Sequence, residues 1–430
     1  MADKDIAEAV FSNYYERLPN EHEHKDNVVG ILRMREMGAS GVYHDKASRK
    51  KHSSSYRKNQ VYYSRSLSAA KFVSSAWPLL HPVSRVGNID ENGRNLHQPR
   101  QFEYHRFVSS LMAFGTLDGE VIVVNHENGN VLHHLPSSGE TSVLGLCWFN
   151  TSSSKLLAGF DDGSLTLFDV DQVQPKVDGS HHSLSNAKFE KFEQLTSVHI
   201  NSTDDQFLTT SYSKKVAIYD IGSGKRSSLF THMHRDAINV AKFANHSPNL
   251  FVTSSFDRDV KMWDLRQKVT NPCYTASSST GNVMVCFSPD DHYLLASAVD
   301  NEVKQLLAVD GRVHLDFNIA PAGNAYNYTR SYYMNGRDYI ISGSSDEPMV
   351  RICCAQTGRQ LKNICLEDWN SGSSIFVQSL RSDPFRQFHL AVLATYVRPS
   401  SKREIIKVNL LSSSDHKNEH SKCRRCEWEG

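Results

Sequence analysis

The 430-residue chain lacks the features that define several common protein classes. No apolar run approaches the ~18 residues that a membrane-spanning helix needs. The beginning Met-Ala-Asp-Lys-Asp is too polar and acidic for a secretory signal. Lysine and arginine total 48 against 47 acidic residues, so the whole molecule has no broad field that would attract a polyanion. We expect no membrane partner and no strong nucleic-acid binding by the chain as a whole.

The eight cysteines lack the regular spacing of a disulfide framework. This favours a reducing compartment, the nucleus or the cytoplasm or both. Cys423 and Cys426, which follow His416 and His420, are residue types that bind zinc. They lie in a serine-rich, charged tail without the folded turn that structural zinc usually occupies. We therefore predict a solvated tail, no metal site and no cofactor.

Catalytic motifs are also missing. The sequence has no glycine-rich phosphate loop, no Gly-x-Ser-x-Gly elbow and no His-Glu-x-x-His motif. The neighbouring carboxylates Asp161 and Asp162 fall in a predicted turn, where aspartate ordinarily bonds to nearby backbone amides. We expect no enzymatic activity.

The strongest pattern present is a repeat of turn and strand. Taking Asn125, Asp169, Asp220, Asp264, Asp310 and Ala355 as equivalent ends gives intervals of 44, 51, 44, 46 and 45 residues. This period is typical of a four-stranded propeller blade, and residues 388–409 supply a weaker last unit. The sequence predicts an all-β protein, a seven-bladed β-propeller over residues 100–411, because radial closure leaves few exposed strand edges.

Residues 251–266, Phe-Val-Thr-Ser-Ser-Phe-Asp-Arg-Asp-Val-Lys-Met-Trp-Asp-Leu-Arg, are the most complete repeat end. They read as a strand, an acidic turn and a second strand that alternates apolar and polar residues. The indole N–H of a buried tryptophan needs a hydrogen-bond partner. We predict a buried chain that ties the blade together and consists of His234, Ser255, Asp257 and Trp263.

This segment resembles the sixteen-residue box of the WD-repeat substrate receptors of cullin-4 ubiquitin ligases. The matched positions are two apolar residues, two small residues, an acid, a further apolar residue, and then Trp-Asp-x-Arg: Phe251, Val252, Ser254, Ser255, Asp257, Val260, Trp263, Asp264 and Arg266. The resemblance implies that Asp264 and Arg266 contact the β-propeller adaptor of the ligase, and that the chain recruits a client protein for ubiquitination. One strong box in a degenerate propeller is similar to plant members, several of which act in light, ultraviolet or hormone signalling.

A client would bind the face opposite Arg266, which turns and inter-blade loops build. Arginine and tyrosine are enriched in binding hot spots. The candidate client-binding residues are Lys214, Arg258, Tyr328 and Arg330, with Asn301, Glu347 and Tyr326 as further positions.

Residues 1–99 read as a flexible N-terminal extension, with a short helix over 3–17 that ends before Pro19. Residues 46–71 carry eight basic side chains and no acid, a composition typical of a mobile arm. A solvated arm, a nuclear import signal and a weak nucleic-acid contact all fit this arm. Residues 412–430 read as a polar disordered tail. The alternative function is a scaffold of a nuclear RNA-processing or chromatin complex without a ligase link.

Overall fold

A computed structural model describes residues 71–83, 97–135, 141–172, 187–366, 375–397 and 402–411. The helix predicted over 3–17, all of the basic arm except its last residue, and the Cys423–Cys426 pair lie outside these residues. The described residues from Val73 to Leu411 belong to one compact unit. Its described residues form 28 strands in seven four-stranded antiparallel sheets, which confirms the predicted seven-bladed propeller.

Each of the first six blades contains four consecutive strands. Blade 1 contains β2 (Pro99–Tyr104), β3 (Leu111–Thr116), β4 (Val121–Asn125) and β5 (Asn130–Leu135). Blade 2 contains β6 (Val143–Trp148), β7 (Lys155–Phe160), β8 (Leu165–Asp169) and β9 (Ala187–Lys188), with a 3₁₀ turn at Val170–Gln172. Blade 3 contains β10 (Leu195–Ile200), β11 (Gln206–Ser211), β12 (Val216–Asp220) and β13 (Arg226–Phe230).

The next three blades have the same order. Blade 4 contains β14 (Ile238–Phe243), β15 (Leu250–Ser255), β16 (Asp259–Asp264) and β17 (Tyr274–Ser277). Blade 5 contains β18 (Asn282–Phe287), β19 (Tyr293–Ala298), β20 (Val303–Leu307) and β21 (Val313–Asp316). Blade 6 contains β22 (Thr329–Met334), β23 (Tyr339–Ser344), β24 (Met349–Cys354) and β25 (Gln360–Cys365).

Blade 7 closes the ring with strands from both ends of the propeller. Its inner strands are β26 (Ile375–Ser382), β27 (His389–Tyr396) and β28 (Lys402–Leu411). Its outer strand is β1 (Trp77–Pro82), which pairs antiparallel with β28 from Trp77–Leu411 to Pro82–Ile406. The domain boundary predicted at residue 100 left out β1, because this strand contains Pro78 and Pro82 and has no repeat signature. Proline fits an edge strand, where one side of the backbone needs no ladder partner.

Two of the repeat ends chosen from the sequence are also shifted. Asp264 pairs with Leu250 at the start of β15, and the corresponding partners are Leu307 in blade 5 and Cys354 in blade 6. Asp310 and Ala355 therefore lie in the turns after the strands. Aspartate also recurs in such turns because its side chain bonds to nearby backbone amides. The sequence alone therefore could not distinguish Asp310 from a strand-ending aspartate.

The core consists of apolar clusters between neighbouring blades, for example the cluster that contains Val143, Phe160 and Val121 between blades 1 and 2. Glycine permits the close approach. A Cβ on Gly115 would lie 2.3 Å from the Cβ of Val143 in the next blade. First strands contact their neighbours all the way around the ring, and the fourth strands are the most exposed. Among the described residues, no helix has the length and apolar character to cross a membrane.

Two glycines provide a matched test of the turn packing. Both have positive φ, +87° at Gly163 and +69° at Gly224, but a Cβ would lie 2.0 Å from the Phe192 carbonyl oxygen only at Gly163. We expect G224A to cost about 1 kcal/mol of backbone strain. We expect G163A to cost about 3 kcal/mol, since the neighbouring backbone must also move. Denaturant unfolding measures both, and equal losses would contradict this packing.

Candidate functional site

The blade 4 repeat end contains a buried hydrogen-bond chain. The indole Nε1 of Trp263 donates to Oγ1 of Thr253 at 2.9 Å, and this oxygen lies 2.6 Å from Nε2 of His234. Nδ1 of His234 lies 3.0 Å from Oδ2 of Asp257. Because the indole can only donate, the consistent arrangement has the threonine hydroxyl donating to Nε2 and the Nδ1–H donating to the carboxylate.

The hydroxyl in this chain belongs to Thr253, so the prediction of Ser255 was wrong. Ser255 instead accepts the amide N–H of Asp257 at 3.1 Å and donates to the carbonyl of Asp236 at 3.0 Å. Thr253 and Ser255 lie two residues apart on one face of β15, and the sequence could not show which hydroxyl the indole reaches. Ser255 therefore stabilises the turn, and Thr253 connects His234 with Trp263.

Asp257 is the charged end of this chain. Burial would raise the pKa of Asp257, but hydrogen bonds from His234 and from the amides of Arg235 and Asp259 hold this pKa well below its usual range. The folded-state pKa therefore lies below the unfolded value of about 4. The resulting stabilisation is present above that pH and is lost as the pH falls through the folded-state pKa.

Asp264 and Arg266 form a rigid fork at the rim of blade 4. Nε and Nη2 of Arg266 lie 2.9 and 2.8 Å from the two carboxylate oxygens of Asp264. The side chain of Asp264 is 1% exposed, whereas that of Arg266 is 47% exposed. The hydrogen bonds with Asp264 raise the pKa of Arg266. The guanidinium is thus held at the surface with its Nη1 donors not used by Asp264.

Strand direction divides the turns between two faces of the propeller. In antiparallel blades, the first-to-second and third-to-fourth turns lie on one face, and the second-to-third turns lie on the other. We call the face that carries the third-to-fourth turns, Arg266 included, the Arg266 face. We call the other the opposite face.

Blade 5 contains a similar pair on the Arg266 face. Nε of Arg312 lies 2.5 Å from Oδ2 of Asp310, again two residues earlier. Here both partners are more exposed, 73% for Arg312 and 24% for Asp310. The contrast identifies what is particular to Arg266: its carboxylate partner is buried, which orients the guanidinium more firmly.

Two predicted client-binding residues, Lys214 and Arg258, are exposed on the opposite face in the second-to-third turns of blades 3 and 4. Both have positive φ, 70° and 77°, where the turns of blades 1 and 2 have Gly119 and Gly163. A long side chain in this conformation costs about 1 kcal/mol. The ammonium of Lys214 donates to the carbonyl of Arg235 at 2.6 Å. Cationic side chains are therefore present where glycine would be less strained.

The other predicted opposite-face residues differ in placement. Tyr328 is 38% and Tyr326 75% exposed just before β22, and the ring of Tyr328 lies 6.0 Å from that of Phe256. Asn301 is only 1% exposed and bonds to Glu347 at 2.9 Å, which points to a structural role.

Arg330 belongs to the inner strand β22, and its Nη1 donates to the carbonyl of Gln378 at 2.5 Å. Burial, together with the charges of Arg100 and Arg381, lowers the pKa of Arg330 to about 10. Arg330 therefore lies among the channel-facing side chains rather than in a surface loop.

Sequence reasoning missed the polar ring around the central channel. Equivalent register positions of the seven inner strands carry Glu103, Cys147, His199, Lys242, Cys286, Tyr332 and Arg381. Arg381 pairs with Glu103 at 2.7 Å and its Cζ lies 4.1 Å from the ring centroid of Tyr332. Burial raises the pKa of the Cys286 thiol to about 12, so this thiol is not activated as a nucleophile. Polar residues at one position in every first strand were the available signal.

Comparisons with known proteins agree with this fold. The family model described as Nucleolar protein 10-like, N-terminal domain, a β-propeller model, matches residues 93–306. The chain is 54% identical to Protein DWD HYPERSENSITIVE TO UV-B 1 of Arabidopsis thaliana over 427 residues, which is 98% of this chain and 52% of that protein.

More distant relatives match parts of the propeller. Protein SUPPRESSOR OF PHYA-105 1 of Arabidopsis thaliana is 26% identical over 153 residues, 34% of this chain and 15% of that protein. Guanine nucleotide-binding protein subunit beta-1 of Nicotiana tabacum is 25% identical over 170 residues, 38% of this chain and 42% of that protein. The chain thus spans about half or less of the length of these relatives.

The hydrogen-bond chain of blade 4 can be tested against blade 3. T253V leaves the buried Trp263 N–H and His234 without their partner, and we expect a loss of about 1–3 kcal/mol in the free energy of unfolding. Thr209 has the same register position in blade 3, and its buried hydroxyl has no hydrogen-bond partner in the described part of the chain. T209V should therefore be neutral or stabilising in the same denaturant titration. Equal destabilisation by the two variants would contradict this assignment.

Proposed function

We propose that this chain, which belongs to the WD-repeat β-propeller family, is a substrate receptor of a cullin-4 RING ubiquitin ligase. Nearly the whole of this chain matches Protein DWD HYPERSENSITIVE TO UV-B 1. The observation that carries the proposal is the fork of Asp264 and Arg266, at the end of a segment that resembles the box of these receptors. The receptor performs no chemistry itself. It holds a client close to the ubiquitin-charged enzyme, which converts an encounter in solution into a local reaction.

The Arg266 face would contact the adaptor. An arginine fork presents planar donors that suit carboxylates and carbonyl oxygens on a partner. Because Asp264 already fixes the guanidinium, less side-chain freedom is lost on binding than for an unrestrained arginine. Asp264 thus has a positioning role and Arg266 a contact role.

The opposite face would hold the client. Lys214 and Arg258 supply cationic side chains, and Tyr326 and Tyr328 supply exposed aromatic surface on the same face, where the ring of Tyr328 lies 6.0 Å from that of Phe256 in the turn of Arg258. These types suit a partner segment that combines acidic and apolar residues. The name of the Arabidopsis relative refers to UV-B, which favours a client in light or ultraviolet signalling, in the nucleus or cytoplasm.

A scaffold in a nuclear RNA-processing complex is the second candidate. The match of residues 93–306 to a model named for a nucleolar protein favours it. In that case the basic segment 46–71 would contact RNA, and the affinity would fall steeply with salt. Filter binding of RNA by the full chain and by a deletion of 46–71 distinguishes this candidate. The scaffold predicts that the deletion abolishes RNA binding, whereas a ligase receptor does not require RNA binding by this segment.

We expect R266A to abolish co-purification of the cullin-4 adaptor, because the substitution removes the oriented donors. R312A is the matched control: it removes an arginine that pairs with an aspartate two residues earlier on the same face. R312A should retain adaptor binding within about twofold, as is usual for an exposed ion pair. Affinity purification followed by quantitative immunoblotting measures the three proteins, and thermal melts verify that each is folded. The proposal is contradicted if R266A still binds the adaptor, or if R266A and R312A lose adaptor binding equally.

The client-binding role of the opposite face can be tested independently of adaptor binding. We expect R258E to retain the adaptor but lose the client, because the reversed charge repels an acidic segment while the Arg266 face is unchanged. Quantitative proteomics of cells that express R266A or R258E in place of the wild type should show accumulation of a shared set of proteins. If the proteins that accumulate in the two lines do not overlap, Arg258 is not part of the client surface.

A further inference from the structure

Three side chains converge on one point at the opposite-face end of blade 1. Nδ1 of His97 lies 2.9 Å from Oε2 of Glu120, and Nε2 of His134 lies 2.9 Å from Oε1 of the same carboxylate. The three potential ligand atoms, one from each residue, all lie within 4.8 Å of one another. The side chains of His97, Glu120 and His134 are 19%, 30% and 44% exposed, so solvent ions reach the cluster.

The backbone that carries these residues is held rigidly. Glu120 follows a turn in which the Thr116 amide donates to the Glu120 carbonyl at 2.9 Å and the Thr116 hydroxyl accepts the Glu120 amide at 3.0 Å. The backbone carbonyl of Gln98, the residue after His97, accepts a hydrogen bond from the amide N–H of Leu117 in the same turn at 3.0 Å. His134 lies on β5 opposite Ile122 of β4. Little ordering of the chain is therefore required to bring the ligands together.

The donor set determines which cation fits. Two imidazole nitrogens and one carboxylate oxygen, with a fourth position open to water, form a set that zinc accepts at bonds of about 2.0–2.2 Å. Ligands around a tetrahedral ion at such bonds lie about 3.3 Å apart, so side-chain adjustments on the order of 1 Å complete the site. Magnesium and calcium prefer all-oxygen sites and are disfavoured here.

We propose that His97, Glu120 and His134 form a Zn²⁺ site on the opposite face, at blade 1, away from the Arg266 face and on a different blade from Lys214 and Arg258. In the apo state each imidazole donates an N–H to the carboxylate. On binding, the same two nitrogens contact the ion and the proton of each ring resides on its other nitrogen. The ion connects the segment before β2 with the turn and the outer strand of blade 1. The ion therefore stabilises blade 1, which adjoins blade 7, the blade that closes the ring.

Isothermal titration of the full chain with Zn²⁺ tests the site. The Cys423–Cys426 pair also contains zinc-binding residue types, so every variant is made in a C423S/C426S background. We expect one saturable Zn²⁺ per chain and a rise in the thermal midpoint with Zn²⁺ but not with Mg²⁺. H97A, E120A and H134A should each weaken binding at least about tenfold, because mutation of even an outer-shell partner of a metal ligand costs about 10–100-fold in metal affinity.

H133A is the matched control, because His133 is the preceding residue on β5 and its side chain points to the other side of the strand. H133A should bind Zn²⁺ like the parent, and all variants should keep the parent's metal-free melting curve within a few degrees. The proposal is overturned if the background protein shows no saturable Zn²⁺ binding. It is equally overturned if H97A, E120A and H134A bind as H133A does, or if Mg²⁺ shifts the midpoint equally.

Discussion

The pairing of β1 with β28 is the interaction on which the rest of the structure depends. It joins strands from the two ends of the propeller in blade 7, from Trp77–Leu411 to Pro82–Ile406. The ion pair of Glu103 with Arg381 joins blade 1 to blade 7 inside the channel and so supports the same closure of the ring. If the ring opened at this point, loss of β1 would leave β28 an unpaired edge, and separation of blade 7 from blade 1 would expose the apolar surface between them to water. Closure therefore fixes the angular position of every blade.

A closed ring explains why the molecule has two distinct faces with different chemistry. Antiparallel order sends the rim of Trp263 and Arg266 to one side and the turns of Lys214 and Arg258 to the other. The buried hydrogen-bond chain from Trp263 to Asp257 runs across blade 4 and ties these two ends together. A receptor that bridges two partners needs such separation, because the adaptor and the client must bind at the same time.

The sequence predicted the blade number because period and turn chemistry are local properties. It also predicted His234, Asp257 and Trp263 as structural partners, since a buried indole and a buried carboxylate both require hydrogen bonds. It did not identify β1, whose role comes from pairing with a residue range more than three hundred positions away. The repeat pattern does not specify strand register. Register decides that Thr253, and not Ser255, accepts the indole N–H of Trp263, and it places Arg330 among the channel-facing side chains.

The most direct test of the receptor account is hydrogen–deuterium exchange of the full chain, alone and mixed with the cullin-4 adaptor. The account predicts slower exchange in residues 265–273, which follow Asp264 on the Arg266 face, and unchanged exchange in the turns at 212–215 and 256–258. Protection of those opposite-face turns, or no protection anywhere, would contradict it.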